Sequence, residues 1–140
     1  MRYLLFILAL SAFSCKKQNA IKELEGTYDV EGHKVRCTYY GCDSTKIKSL
    51  LKLQFENENT RIRVTLFDKI LEKSDNIGVL ALDKIDNDLI IMKLNEFYAN
   101  YNRSEKIFEY YDGNNWNKRI LTDTASNYYY LKGVKQWENL

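Results

Sequence analysis

Three cysteines, a single histidine and a few clustered acids are the residues of this chain able to carry chemistry, and their spacing narrows what that chemistry is. Cys37 and Cys42 enclose Thr38, Tyr39, Tyr40 and Gly41. Glycine there can supply the positive φ of a tight turn, bringing the two Cα atoms within the roughly 4.4–6.8 Å that a disulfide spans. His33 adds a third ligand type nearby, but zinc wants four ligands or three plus water, and no second histidine exists. A disulfide between Cys37 and Cys42, holding Tyr39 and Tyr40 on a rigid loop, is the expectation, and no metal. Asp83, Asp86 and Asp88 share one turn but lack the spacing, the glycine and the later glutamate of a calcium loop, so they read as a solvated turn. Glu105 and Glu109 form a carboxylate pair of the kind any acid-rich strand protein offers. Nucleophile elbows, paired-histidine zinc helices and glycine-rich phosphate loops do not occur in the sequence. The expectation is a non-catalytic domain without a cofactor.

What remains is aromatic. Among the 11 tyrosines and two tryptophans, Tyr39, Tyr40, Tyr98, Tyr101, Tyr111, Trp116 and Tyr129 are the candidate binding residues. Rings with an apolar body and a polar tip suit protein interfaces when left exposed. Recognition of a protein partner, in the manner of an inhibitor or immunity protein, is the first expectation. Carriage of a small apolar ligand inside a barrel is the alternative. A cavity of a few hundred cubic ångströms in the barrel favours the carrier, and a packed interior favours surface recognition. The 21 basic and 19 acidic groups form no long block of one sign, so nucleic acid is not an expected partner.

The elements that must position these rings read as strands. Proline is absent and glycine occurs only six times in 140 residues, of which 45% are hydrophobic, enough for one domain with one core. Leu51, Leu53 and Phe55 alternate with Lys52, Gln54 and Glu56, and Ile62, Val64 and Leu66 alternate with Arg61, Arg63 and Thr65. That period of two predicts an antiparallel hairpin with one oily face. A first strand is expected over residues 27–37 with a bulge or bend at Gly32, and further strands over 77–82, 89–94 and 128–134. Residues 107–111 and 116–121, flanking the turn 112–115, read as a second hairpin. Residues 69–76 read as a loop or helical turn, and 96–104 show no clear form. About eight short strands without a long helix between them predict an all-β antiparallel meander, closed or partly closed into a barrel.

The amino terminus is of another kind. Met1 and Arg2 precede an apolar run over residues 3–10, too short to span a bilayer and of signal-peptide length. Ser11-Ala12-Phe13-Ser14-Cys15 resembles a lipobox, with Phe13 bulkier than the usual pattern, and Ser14-Cys15-Lys16-Lys17 is similar to the junction of Bacteroidetes lipoproteins. That resemblance implies a signal peptide over 1–14, an acylated Cys15 as mature terminus and a tether to a membrane over 15–25, ahead of a β-domain over 26–140. Lys16 in place of an aspartate implies the outer membrane, on its periplasmic or surface side. Leu24-Glu25-Gly26-Thr27-Tyr28 resembles the opening of small lipocalin-like lipoproteins, where Gly-x-Trp starts the first strand and the ring plugs the barrel floor; Tyr28 stands for the tryptophan. Such barrels place a basic partner near the last strand, and Arg119 falls too early for it.

Overall fold

The computed structural model describes residues 15–38, 40–56, 61–68, 72–112 and 126–136. Nine strands follow one another: β1 (Gly26–Thr38), β2 (Gly41–Glu56), β3 (Arg61–Asp68), β4 (Lys73–Leu80), β5 (Leu82–Ile85), β6 (Leu89–Leu94), β7 (Phe97–Asn102), β8 (Ile107–Asp112) and β9 (Ser126–Lys135). They make one antiparallel sheet in the order β4-β3-β2-β1-β9-β8-β7-β6-β5, which curls strongly into a half-barrel. The all-β meander expected from alternation is therefore present.

Its two edges belong to one stretch of chain. Every pairing is antiparallel, so tracing direction from β1 outward both ways gives β4 and β5 the same sense, with Ala81 alone between them. The two act as a single bent strand whose first part pairs with β3 and whose second part pairs with β6. The backbone N–H of Lys93 donates to the Ala81 carbonyl at the bend (2.8 Å). Counted by direction, the nine strands of the described residues are an eight-stranded up-and-down meander with its fourth strand turned through a corner.

The expected hairpin is there, with Leu53 opposite Val64 and Phe55 opposite Ile62. Gly32 makes no bulge, because the register of β1 with both neighbours runs through it without a shift. Its missing Cβ instead gives room to the Tyr130 carbonyl of β9. Residues 96–104, formless by pattern, hold β7, and β4 begins at Lys73 inside the stretch read as loop. Residues 116–121 lie outside the described residues. β8 pairs with β7 on one side and with β9 on the other.

Where a tether was expected over 15–25, the chain is helical over 15–24, here called α1. Ala20, Ile21 and Leu24 recur at helical spacing and are buried, since the end of the half-barrel offers apolar surface to cover. Full burial of a leucine such as Leu24 contributes about 1.5–3 kcal/mol. Among the described residues no helix is long and apolar enough to cross a membrane. Above this floor the interior is filled by Tyr28, Tyr101, Phe108 and Tyr110 with Leu51, Leu53, Ile62, Leu80, Ile90, Met92 and Leu131, all essentially without solvent exposure. Tyr28 packs edge-on to Tyr101 (6.4 Å between centroids) and tilted against Phe108 (5.2 Å).

Candidate binding surfaces

Strand register decides which tyrosines face outward. In an antiparallel sheet, residues directly opposite one another share a face, so a chain of opposite pairs traces a row across the strands. One such row runs Lys93, Tyr98, Tyr111, Tyr130, His33, Lys46 across β6, β7, β8, β9, β1 and β2. Tyr111 and Tyr130 are 43% and 44% exposed, unusual for rings of this size, and they meet edge to face at 6.2 Å. Tyr98 is half-buried, while His33 is exposed with its Nδ1 3.3 Å from the Ser44 hydroxyl. At about 4.8 Å per strand, the four rings span roughly 14 Å on the convex face.

The row beneath it is polar. Asn100, Glu109, Lys132, Glu31 and Lys48 stand opposite one another in turn. Lys132 bonds Glu109 at 3.0 Å, and this contact holds the Glu109 carboxyl below the usual carboxylate range while raising Lys132. A strip of rings bordered by a charged strip has the layout of an interface core beside its rim.

Of the candidate residues, the structure brings Tyr98 and Tyr111 into this row and adds Tyr130, which sequence reasoning passed over. Tyr129, chosen from the same run of three tyrosines, points the other way and is 8% exposed. Tyr101 belongs to the core at 1% exposure, directly opposite Phe108. Tyr39 and Trp116 lie outside the described residues. Tyr40 stands 95% exposed at the tip of the β1–β2 hairpin, far along the strands from the ring row.

That hairpin carries the expected disulfide: Cys37 and Cys42 are directly opposite, with Cα atoms 4.0 Å apart, and their sulfurs are bonded. Gly41 closes the turn at φ +145°, a conformation that side-chain-bearing residues rarely adopt. The Tyr40 amide donates to the Thr38 hydroxyl (3.3 Å), and that hydroxyl reaches the Gly41 carbonyl (3.3 Å).

On the concave side, at the end opposite α1, a cleft of about 310 Å3 opens between β1, β9, β2 and the β3–β4 pair. Ile47, Leu66 and Tyr129 give it an apolar lining, and Lys34, Asp68 and Asp75 give it charged walls. The Lys34 ammonium sits 5.8 Å from the Tyr129 ring centroid, within cation–π range. Below the cleft the Tyr110 hydroxyl donates to the Ile77 carbonyl (2.9 Å), tying β8 to β4 through the interior.

At the floor, the end of α1 is held by side chains. The Tyr28 hydroxyl donates to the Leu24 carbonyl (2.6 Å) and the Lys135 ammonium to the Glu23 carbonyl (2.9 Å). Both carbonyls belong to the last helical turn, whose C=O groups lack helical partners and attract cations. Lys135 lies opposite Tyr28 in the register, and its Cε would come within 2.7 Å of a Cβ on Gly26. The glycine leaves the path by which the lysine reaches the helix. Lys135 is thus a basic residue on the last strand beside the first-strand ring, found only once register is known. Arg103 and Lys106 bind the Glu23 carboxylate (2.8 and 3.7 Å) and complete the closure.

Comparison with protein-family models, with curated proteins and with solved structures finds no match for this chain.

Proposed function

We propose that this protein is an envelope lipoprotein whose domain recognises a protein partner through the outer aromatic row, without catalysis. The observation that carries the reading is the exposure of Tyr111 and Tyr130 side by side, flanked by Tyr98 and His33. Exposed rings cost hydration free energy that burial against a partner recovers, and tyrosine adds a hydroxyl for orientation at low entropic cost. Interior packing supports the same reading, because Tyr28, Tyr101, Phe108 and Tyr110 occupy the volume a barrel carrier would keep open. The anchor part rests on the lipobox-like residues 11–15 and the exposed Cys15, and an outer-membrane position rests on Lys16.

The experiment is capture of partners from envelope membranes of the source cells by the full chain, beside a triple variant Tyr98→Ser, Tyr111→Ser, Tyr130→Ser. A protein retained by the first and lost at least tenfold with the second, both chains having equal thermal stability, is the expected result. Retention that is indifferent to all three substitutions would falsify the aromatic row as the contact.

The rim cleft favours a second reading, a lipocalin-like carrier. The plugged floor, Gly26 and Tyr28 at the start of β1 and Lys135 on β9 support that likeness, and about 310 Å3 accommodates a small amphipathic molecule with its apolar part against Leu66 and Tyr129.

A further inference from the structure

A nine-residue stretch of backbone in this sheet has no second strand neighbour among the described residues. β2 pairs with the full length of β1, from Thr38↔Gly41 down to Gly26↔Leu53, yet pairing with β3 begins only at Leu50↔Phe67. Over residues 41–49, about 30 Å of strand at 3.3 Å per residue, the other side of β2 has no backbone pairing among the described residues, and at its inner end the Ser49 hydroxyl donates to the Phe67 carbonyl of β3. Side chains 41–46 are all exposed. The disulfide and the tight turn hold the tip of this hairpin, so its backbone groups stay aligned as a template.

A second observation lies against that edge. The rim cleft is bounded by Lys46, Ile47, Lys48 and Ser49 of β2 and, across the gap, by Leu66 and Asp68 of β3 and Asp75 of β4. A strand added to β2 would project alternate side chains into the cleft and the others onto the convex face, by the period of two of any strand. Ile47, Leu66 and Tyr129 favour apolar residues at the inward positions. Lys46 and Lys48 stand together on the convex face, which favours acids at the outward positions.

We infer that residues 41–49 of β2 receive an extended segment of a protein partner by strand addition, with apolar residues alternating with acidic ones. Main-chain hydrogen bonds hold the segment, and the two faces of β2 select its sequence. Self-pairing of two copies is a poorer fit. A two-fold antiparallel pair sets residues of like face opposite each other, so Lys46 and Lys48 meet only one another, Ser44 or Cys42 in registers centred on residues 45–47. The inference stands on the backbone edge and the cleft, not on the tyrosine row.

The test is hydrogen exchange of the full chain with and without the synthetic peptide acetyl-Val-Glu-Val-Glu-Val-Glu-Val-amide, beside its lysine-for-glutamate counterpart. Expected is a slowing of about tenfold confined to residues 41–49 and the cleft, with the lysine peptide about tenfold weaker. Lys46→Glu with Lys48→Glu, both on the exposed face, reverses the preference between peptides. The triple tyrosine variant leaves the slowing intact, which separates this site from the aromatic row. Absence of slowing at millimolar peptide, slowing elsewhere, or indifference to the sign of the peptide's charge overturns the inference. So does a peptide-driven dimer in place of a one-to-one complex.

Discussion

Tyr28, Tyr101 and Tyr110 keep their phenols inside the half-barrel, and burial raises all three above the ordinary tyrosine range, with the Glu23 charge adding to the rise at Tyr28 and Tyr101 and Asp112 at Tyr110. A phenol whose folded value exceeds its unfolded value of about 10 contributes stability that is complete below pH 10 and is lost as pH rises through the folded value. Absorbance titration at the phenolate band is therefore expected to show these three phenols ionising only as the fold is lost. Reversible ionisation of all 11 tyrosines near pH 10 would contradict their burial. The same residues show where sequence reading stops. In a run such as Tyr128, Tyr129, Tyr130, composition is constant and only register tells that the middle ring faces Lys34 inside while Tyr130 faces His33 outside. Tyr101 was a reasonable surface candidate by type, and its place opposite Phe108 made it core.

At the scale of elements, what was legible depended on how cleanly two faces differ. The β2–β3 hairpin alternates aliphatic with charged residues and was readable at once. In β7, Phe97, Ala99 and Tyr101 face inward and Tyr98, Asn100 and Asn102 outward, but tyrosine on both sides erased the contrast. The start of β4 is exposed and polar because it lies at a sheet edge, so it looked like a loop. Helix α1 depends on tertiary contacts that no local pattern contains: Ala20, Ile21 and Leu24 are buried against the end of the half-barrel. Lys135→Met should remove the cation from the Glu23 carbonyl and lower unfolding free energy by about 1–2 kcal/mol. Leu24→Ala should cost about 2–5 kcal/mol by leaving a cavity under Tyr28. Urea midpoints of both variants against the parent chain check these values, and a midpoint unchanged by Lys135→Met would mean that the ammonium does not cap α1.

For the whole molecule, the ends of the half-barrel differ, and the difference gives the proposed anchor a direction. Helix α1, the turn around Arg103 and the closing Lys135 lie at one end. The β1–β2 tip with Tyr40, the disulfide and the rim cleft lie at the other, beyond a strand of 13 residues, about 43 Å of extended chain. Cys15 begins the described helix at the floor, so acyl chains on it would hold the floor against the bilayer and leave the rim, the β2 edge and much of the aromatic row facing away. Two measurements follow from that geometry. Cys15→Ala should move the chain from the membrane to the soluble fraction. A fluorophore placed at Tyr40 in the lipidated protein should be quenched less by a lipid-phase quencher than one placed at Lys106, which sits beside Glu23 at the floor. Equal quenching at both sites would mean that the half-barrel lies on its side against the lipid, and the open edge of β2 would then need a partner within the membrane plane rather than above it.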